Sequence, residues 1–233
     1  MIAGLQKMTL LDFPGKVACT VFLAGCNYRC PFCHNSELFL GKPEAYMTDE
    51  EFIGFLQKRQ GLLEGVCISG GEPTLYSKLE TLVTKIKELG FAVKLDTNGS
   101  QPEVLKALLR KGLVDYVAVD VKNGPEAYAW TVGCDPKLPQ VEESFRCLIE
   151  GDVPYEMRTT LVAQLHNEET IRQMGQWLAD LVPGKKPEKL FFQSFVDRDT
   201  VVYSGLCAPT ENDILRYKDI LTSYITSVTI RNQ

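Results

Sequence analysis

The chain has 233 residues, 45% hydrophobic and 24% charged, with eight cysteines and a formal net charge of −5. This length suffices for one sizeable α/β core, and no apolar run approaches membrane-spanning length. The acidic balance, without a basic block, gives a nucleic acid no electrostatic foothold. The opening MIAGLQKMTLLDFPGK is interrupted by Lys7, Asp12 and Pro14, unlike a secretory signal. A reducing cytoplasm is therefore expected, where clustered cysteines bind metal more often than they pair.

In chain order, VACTVFL (17–23) reads as a strand running into GCNYRCPFCHN, where Cys26, Cys30 and Cys33 are spaced C-x3-C-x2-C. Thr48 opens a helix, TDEEFIGFLQKR, with Glu51 placed for a capping box. VCIS (66–69) is a short buried strand ending in Gly70-Gly71-Glu72-Pro73. SKLETLVTKIKEL is an amphipathic helix, apolar at Leu79, Leu82, Val83, Ile86 and Leu89 and stopped by Gly90. FAVKLD (91–96) is a strand ending in Asp96-Thr97-Asn98-Gly99. The helix PEVLKALLRK and the strand DYVAVDV (115–121), with Asp120 and then Lys122, follow.

EESFRCLIEG is predicted as a helix ending at Gly151, YEMRTTLV (155–162) as a strand with Arg158 and Thr160, and EETIRQMGQWLADL as a helix. PGKKPEK (183–189) reads as a surface turn, KLFFQSF (189–195) as a strand, ENDILRYKDILTSYI as a helix and VTIRN as an edge strand. Repeated β–α units imply a parallel sheet with right-handed crossovers. Six main units fall short of an eightfold barrel, so the expected fold class is α/β, a partial (β/α)6 barrel, in a single domain over 1–233.

Three thiolates on one tight loop can hold three irons of a cubane cluster that normally takes four cysteines, leaving one iron open to chemistry. Zinc is a poorer match, since it usually takes four ligands from two separated C-x2-C pairs. Cys19, Cys67, Cys134, Cys147 and Cys207 are scattered and read mostly as buried small apolar residues. The other polar clusters fall at strand ends, where parallel α/β barrels carry their chemistry. Singly each has a bland reading. GGEP can be a turn, and without a following Gly-Lys-Ser/Thr it is no P-loop. Asn98-Gly99 is ordinary turn chemistry, and Asp120 with Lys122 can be a surface pair. Their shared placement downstream of the cysteine loop favours function.

The C-x3-C-x2-C loop resembles the signature of radical S-adenosylmethionine (SAM) enzymes. LLDFPGKVACTVFLAGCNYRCPFCHN, followed by GGEP, DTNG and the D-x-K of Asp120 to Lys122, resembles the glycyl-radical-enzyme activases, among them the pyruvate formate-lyase activating enzymes. The compact length and the start GLQKMTLLDFPG are more similar to the activating proteins of anaerobic (class III) ribonucleoside-triphosphate reductases. The resemblance implies a radical SAM-type barrel in which Cys26, Cys30 and Cys33 ligate a 4Fe-4S cluster and Phe32 lies against the adenine of SAM. Glu72 with Gly70 and Gly71 would meet the amino group, and Lys122 and Arg158 the carboxylate. Asp96, Thr97 and Asp120 match positions around a monovalent cation. A family histidine near the ribose aligns with Val196, which points to Gln193 or Ser194 instead. The remaining histidine, His166, reads as a surface loop residue.

The implied reaction is one-electron cleavage of SAM to a 5′-deoxyadenosyl radical, which takes an α-hydrogen from a glycine of a partner. That partner would be a glycyl radical enzyme, with anaerobic ribonucleotide reductase the nearest match, and the electron donor flavodoxin or ferredoxin. No membrane or nucleic acid partner is expected. The enzyme rival is a small-molecule radical SAM enzyme such as 7-carboxy-7-deazaguanine synthase, whose loop commonly ends Cys-Asp-Thr rather than Cys33-His34-Asn35. A non-enzymatic iron–sulfur carrier would ordinarily fill all four ligand positions.

Overall fold

The structure is a computed structural model that describes residues 1–41 and 43–231. Among these residues, eight strands form one sheet in sequence order. They are β1 (Ile2–Thr9), β2 (Ala18–Leu23), β3 (Gly65–Gly70), β4 (Ala92–Thr97), β5 (Tyr116–Asp120), β6 (Tyr155–Leu161), β7 (Lys189–Ser194) and β8 (Ser227–Arg231). The helices are α1 (Asp49–Gln57), α2 (Leu79–Glu88), α3 (Pro102–Arg110), α4 (Pro125–Val132), α5 (Leu138–Glu150), α6 (Glu168–Asp180) and α7 (Glu211–Leu221). Strands β2 to β7 and the helices after them supply the six β–α units, so the fold class is the expected partial (β/α)6 barrel. Strands β1 and β8 flank that set.

The chain divides into two compact units. The first comprises Met1–Asn27, Asn35–Thr97 and Glu103–Ala118. In it β1 runs antiparallel to β2, while β2, β3 and β4 are parallel neighbours. The sequence reading omitted β1, because IAGLQKMT lacks clean alternation. Its pairing with β2 decides it, with register shifts between Ile2 and Gly4 and between Gln6 and Thr9.

The DFPG segment is a plug beneath this sheet. Phe13 is buried and fills the space a side chain at Gly65 would need, and the Thr20 hydroxyl donates to Asp12 at 2.5 Å. Helix α1 carries the full capping box between Thr48 and Glu51, and it buries Phe52 and Leu56. Helix α2 buries Leu79, Leu82, Val83 and Ile86, as its periodicity requires. Each such side chain stabilises the fold by about 1.5–3 kcal/mol.

The second unit comprises Tyr28–His34, Asn98–Pro102 and the chain from Val119 onward. Here β6, β7 and β8 are parallel neighbours. Strand β8 matches the expected VTIRN except for Asn232, which lies outside the described residues. The Trp177 indole packs edge-on against Tyr128 and Phe145. Gly175 lets α6 approach α7, since a Cβ there would lie 2.5 Å from Tyr224 and 2.8 Å from Leu221.

Two differences from the sequence reading occur in this unit. Helix α5 begins at Leu138 rather than Glu142, and α4 was not foreseen. The α4 sequence PEAYAWTV is rich in strand formers, and its helix is set by Pro125 at the start and by Gly133 (φ +68°) at the end.

Candidate functional site

In the first unit the cysteine loop leaves β2 through Gly25, and β3 ends beside it. Gly71 N–H donates to Leu23 O at 2.9 Å and Glu72 N–H to Gly25 O at 2.7 Å. A Cβ at Gly70 (φ +123°) would lie 2.3 Å from Leu23 O, and one at Gly71 would lie 2.1 Å from Gly25 O and 3.2 Å from Cys26 Cβ. These two glycines are therefore required by the chain's own approach to the loop that carries Cys26, a role the sequence reading did not assign. Asn35 adds a side-chain hydrogen bond to Gly70 O at 3.4 Å.

Glu72 is buried, 1% exposed, at the head of a short turn over Pro73–Leu75. Its Oε1 accepts from Thr74 N at 3.0 Å, Thr74 Oγ1 at 2.5 Å and Thr97 Oγ1 at 2.8 Å. The carboxylate is thus held in one orientation by three donors, and Thr97 is one of them. This couples the end of β4 to GGEP. The Thr97 hydroxyl, expected beside a cation, serves Glu72. Asp96 accepts from Ser69 at 3.3 Å and is ion-paired with Lys94, whose side chain is 2% exposed.

In the second unit Cys30 and Cys33 are joined by a turn, Cys33 N–H to Cys30 O at 3.2 Å. The end of α4 clamps the segment before them: Arg29 N–H donates to Val132 O at 2.8 Å and the Tyr28 hydroxyl to Pro136 O at 3.3 Å. The buried Phe32 ring lies 5.8 Å from Lys122 Nζ, within cation–π range. Asp120 takes Lys122 Nζ at 2.9 Å on one oxygen and Arg158 Nε at 3.2 Å on the other. Burial alone would lower the Lys122 pKa. The Asp120 carboxylate, with Cys30 and Cys33, outweighs it and holds the pKa above the usual lysine value. In this unit the structure brings together Cys30, Cys33, Phe32, Asp120, Lys122 and Arg158.

His166 requires a correction: it is buried rather than a surface loop residue. Its Nδ1 accepts from Val162 N–H at 3.1 Å, so Nε2 carries the proton donated to Lys122 O at 2.9 Å. Burial pushes its pKa below the usual histidine value. Asn123 completes the brace, donating to Leu165 O at 2.8 Å and Thr131 Oγ1 at 2.9 Å. His34 stacks on Phe195 at 5.6 Å, and its Nε2 lies 2.7 Å from Val196 O. Val196 therefore contributes a carbonyl that ties the cysteine loop to the end of β7.

Cys26, Cys30 and Cys33 are free thiols close together in sequence, and among the described residues no group of three or more histidine, cysteine or carboxylate side chains is already arranged to hold a metal ion. Soft sulfur donors are the ligand type that an iron–sulfur cluster takes. Both carboxylates matched to a monovalent cation are ion-paired within the chain. Asp96 already holds the Lys94 ammonium, and Asp120 holds both Lys122 and Arg158. The sequence signal for Lys94 was available: a lysine inside the apolar strand FAVKLD, on the same strand face as Asp96.

Residues 20–178 match the profile of the Radical SAM superfamily. A protein of Methanocaldococcus jannaschii, assigned as a glycyl-radical enzyme activating enzyme, is 32% identical over 99% of this chain and 95% of its own length. The 7-carboxy-7-deazaguanine synthase of Thermococcus kodakarensis is 28% identical over 74% of this chain and 73% of its own. Among solved structures, a domain of pyruvate-formate lyase-activating enzyme from Bacteroides vulgatus superposes with a TM-score of 0.57 at 21% identity, over 72% of this chain and 98% of that one.

Proposed function

The chain belongs to the radical SAM superfamily, and from that premise we propose that it is the activase of a glycyl radical enzyme. As a member of that superfamily it is an enzyme that works with a 4Fe-4S cluster and SAM. The proposal assigns the cluster to Cys26, Cys30 and Cys33 and treats 1–233 as a single radical SAM domain. Held by those cysteines, the cluster would supply the single electron for reductive cleavage of SAM, the chemistry on which hydrogen-atom abstraction from a glycine would draw.

The chain's own residues bind, orient and exclude. Glu72 accepts the amino group of SAM, its orientation fixed by Thr74 and Thr97. Lys122 and Arg158 face the carboxylate from opposite oxygens of Asp120, and Phe32 gives the adenine an apolar wall. A hydrogen-atom abstraction needs no side-chain acid or base, so water exclusion matters more than proton transfer.

The observation that carries the activase reading is identity along nearly the whole chain with the M. jannaschii protein. The Cys33-His34-Asn35 ending supports it. Anaerobic ribonucleoside-triphosphate reductase is the proposed partner, flavodoxin or ferredoxin the proposed donor, and the cytoplasm the proposed compartment. Among the described residues no helix is long and apolar enough to cross a membrane. A second reading, a small-molecule enzyme of the 7-carboxy-7-deazaguanine synthase type, draws on the T. kodakarensis relative.

The deciding experiment measures 5′-deoxyadenosine and glycyl EPR signal from reconstituted, reduced protein with and without an anaerobic reductase. A glycyl signal on the reductase supports the activase. Cleavage stimulated only by a small-molecule substrate overturns it.

A further inference from the structure

We propose that Lys94 is a built-in counter-charge for Asp96, and that SAM binding by this protein is therefore independent of monovalent metal ions. The inference rests on the assignment of SAM to this site. Lys94 lies in the middle of β4, and its side chain is almost wholly removed from solvent. Lys94 and Asp96 are two residues apart on one strand, so they project from the same face. Their neighbours on β3 complete a short polar row: Lys94 is in register with Cys67, whose sulfur lies 3.8 Å from the ammonium, and Ser69 donates to Asp96.

An isolated buried ammonium is costly, and so is an isolated buried carboxylate. Each offsets the other here without any ion from solution. One oxygen of Asp96 faces Lys94 and the other takes the Ser69 hydroxyl. A potassium or sodium ion approaching this carboxylate would meet the fixed positive charge of Lys94, which cancels most of the attraction it would otherwise feel. The adjacent Thr97 hydroxyl is turned so that its hydrogen goes to Glu72. Two of the residues expected to surround a cation are thus engaged within the chain, and the charge such an ion would bring is supplied by a side chain that cannot dissociate.

The test is equilibrium dialysis of labelled SAM against the full-length, anaerobically reconstituted protein, in potassium, sodium or tetramethylammonium chloride at equal ionic strength. The wild-type dissociation constant is expected to agree within about twofold across the three salts. Lys94→Met removes the charge but keeps the apolar stem. Its affinity is expected to fall about tenfold in tetramethylammonium and to recover in potassium.

Wild-type affinity that drops about tenfold when potassium is withdrawn overturns the inference. So does a folded Lys94→Met protein that matches the wild type in all three salts, or one that potassium does not rescue. The wild-type comparison decides the matter alone if the variant does not fold. A wild type that binds no SAM in any salt overturns the site assignment itself, and the inference with it.

Discussion

His166 donates from Nε2 to the backbone carbonyl of Lys122 across 2.9 Å, so a buried imidazole holds the residue proposed to face the SAM carboxylate. The neighbouring bond from Asn123 to Leu165 O makes this a two-point brace on the turn after β5. His166 acts through Lys122 and is a positioning residue. His166→Gln is expected to leave cluster content unchanged and to weaken SAM binding about tenfold. Lys122→Ala should weaken it further with the cluster still in place. SAM titration beside the visible absorption of the cluster separates the two effects.

The same imidazole should leave a mark on stability against pH. Its folded pKa is lowered, so the unfolded chain binds the proton more readily. The contribution is complete above the unfolded value, about 6.5, and is lost as pH falls below it. Burial also lowers the pKa of His34, so both histidines contribute with the same sign. Urea midpoints between about pH 7 and 5 should fall for the wild type, and fall less for His166→Gln.

Gly71→Ala would place a methyl group 2.1 Å from Gly25 O and 3.2 Å from Cys26 Cβ. Backbone must move, at a cost of about 1–3 kcal/mol. The displaced strand end carries the cysteine loop with it, so iron incorporation on reconstitution should fall together with the urea midpoint. A Gly71→Ala protein with full iron content would contradict the close approach described for these two glycines.

Thr97→Val removes one of the three donors to Glu72 Oε1 while keeping the shape of the side chain. Loss of one such hydrogen bond corresponds to about 1 kcal/mol, or roughly fivefold in SAM affinity. Iron content should not change. Cys30→Ser is expected to lose the cluster and SAM cleavage together, and retention of both would remove Cys30 from the ligand set.

Arg231 makes two 3.1 Å bonds to Glu156 and lies 4.0 Å over the Phe191 ring, tying β8 to β6 across the intervening strand. Glu156 is 1% exposed. Arg231→Ala removes a bidentate cation from a buried carboxylate and should destabilise the protein by about 2–3 kcal/mol. Arg231→Lys should recover only part of this, because an ammonium lacks the planar fork. Chemical denaturation measures both.

What could be read from the sequence was what is local. Cys26, Cys30 and Cys33 declare themselves by spacing, Thr48 and Glu51 by a capping box, and Leu79 to Ile86 by periodicity. His166 could not be read this way, because it stands in the polar stretch QLHNEE and its burial depends on Lys122 and Tyr217, both distant in the chain. Gly71 looked like a place for a ligand to approach. Only the three-dimensional neighbour, Gly25, shows that the approaching group is the chain itself. Strand β1 was missed for a related reason: its extended form is imposed by β2 rather than by its own residues.

The segment Tyr28–His34 belongs with the chain from Val119 onward, although Cys26 just before it belongs with the first unit. All three thiols leave the ribosome early, yet the groups that shape the loop around Cys30 and Cys33, at Val132, Pro136 and Val196, are synthesised much later. A nascent chain halted before Val132 would carry Cys26, Cys30 and Cys33 without the framework that orders two of them. Loading of the proposed cluster is therefore expected on the released polypeptide rather than on the growing one.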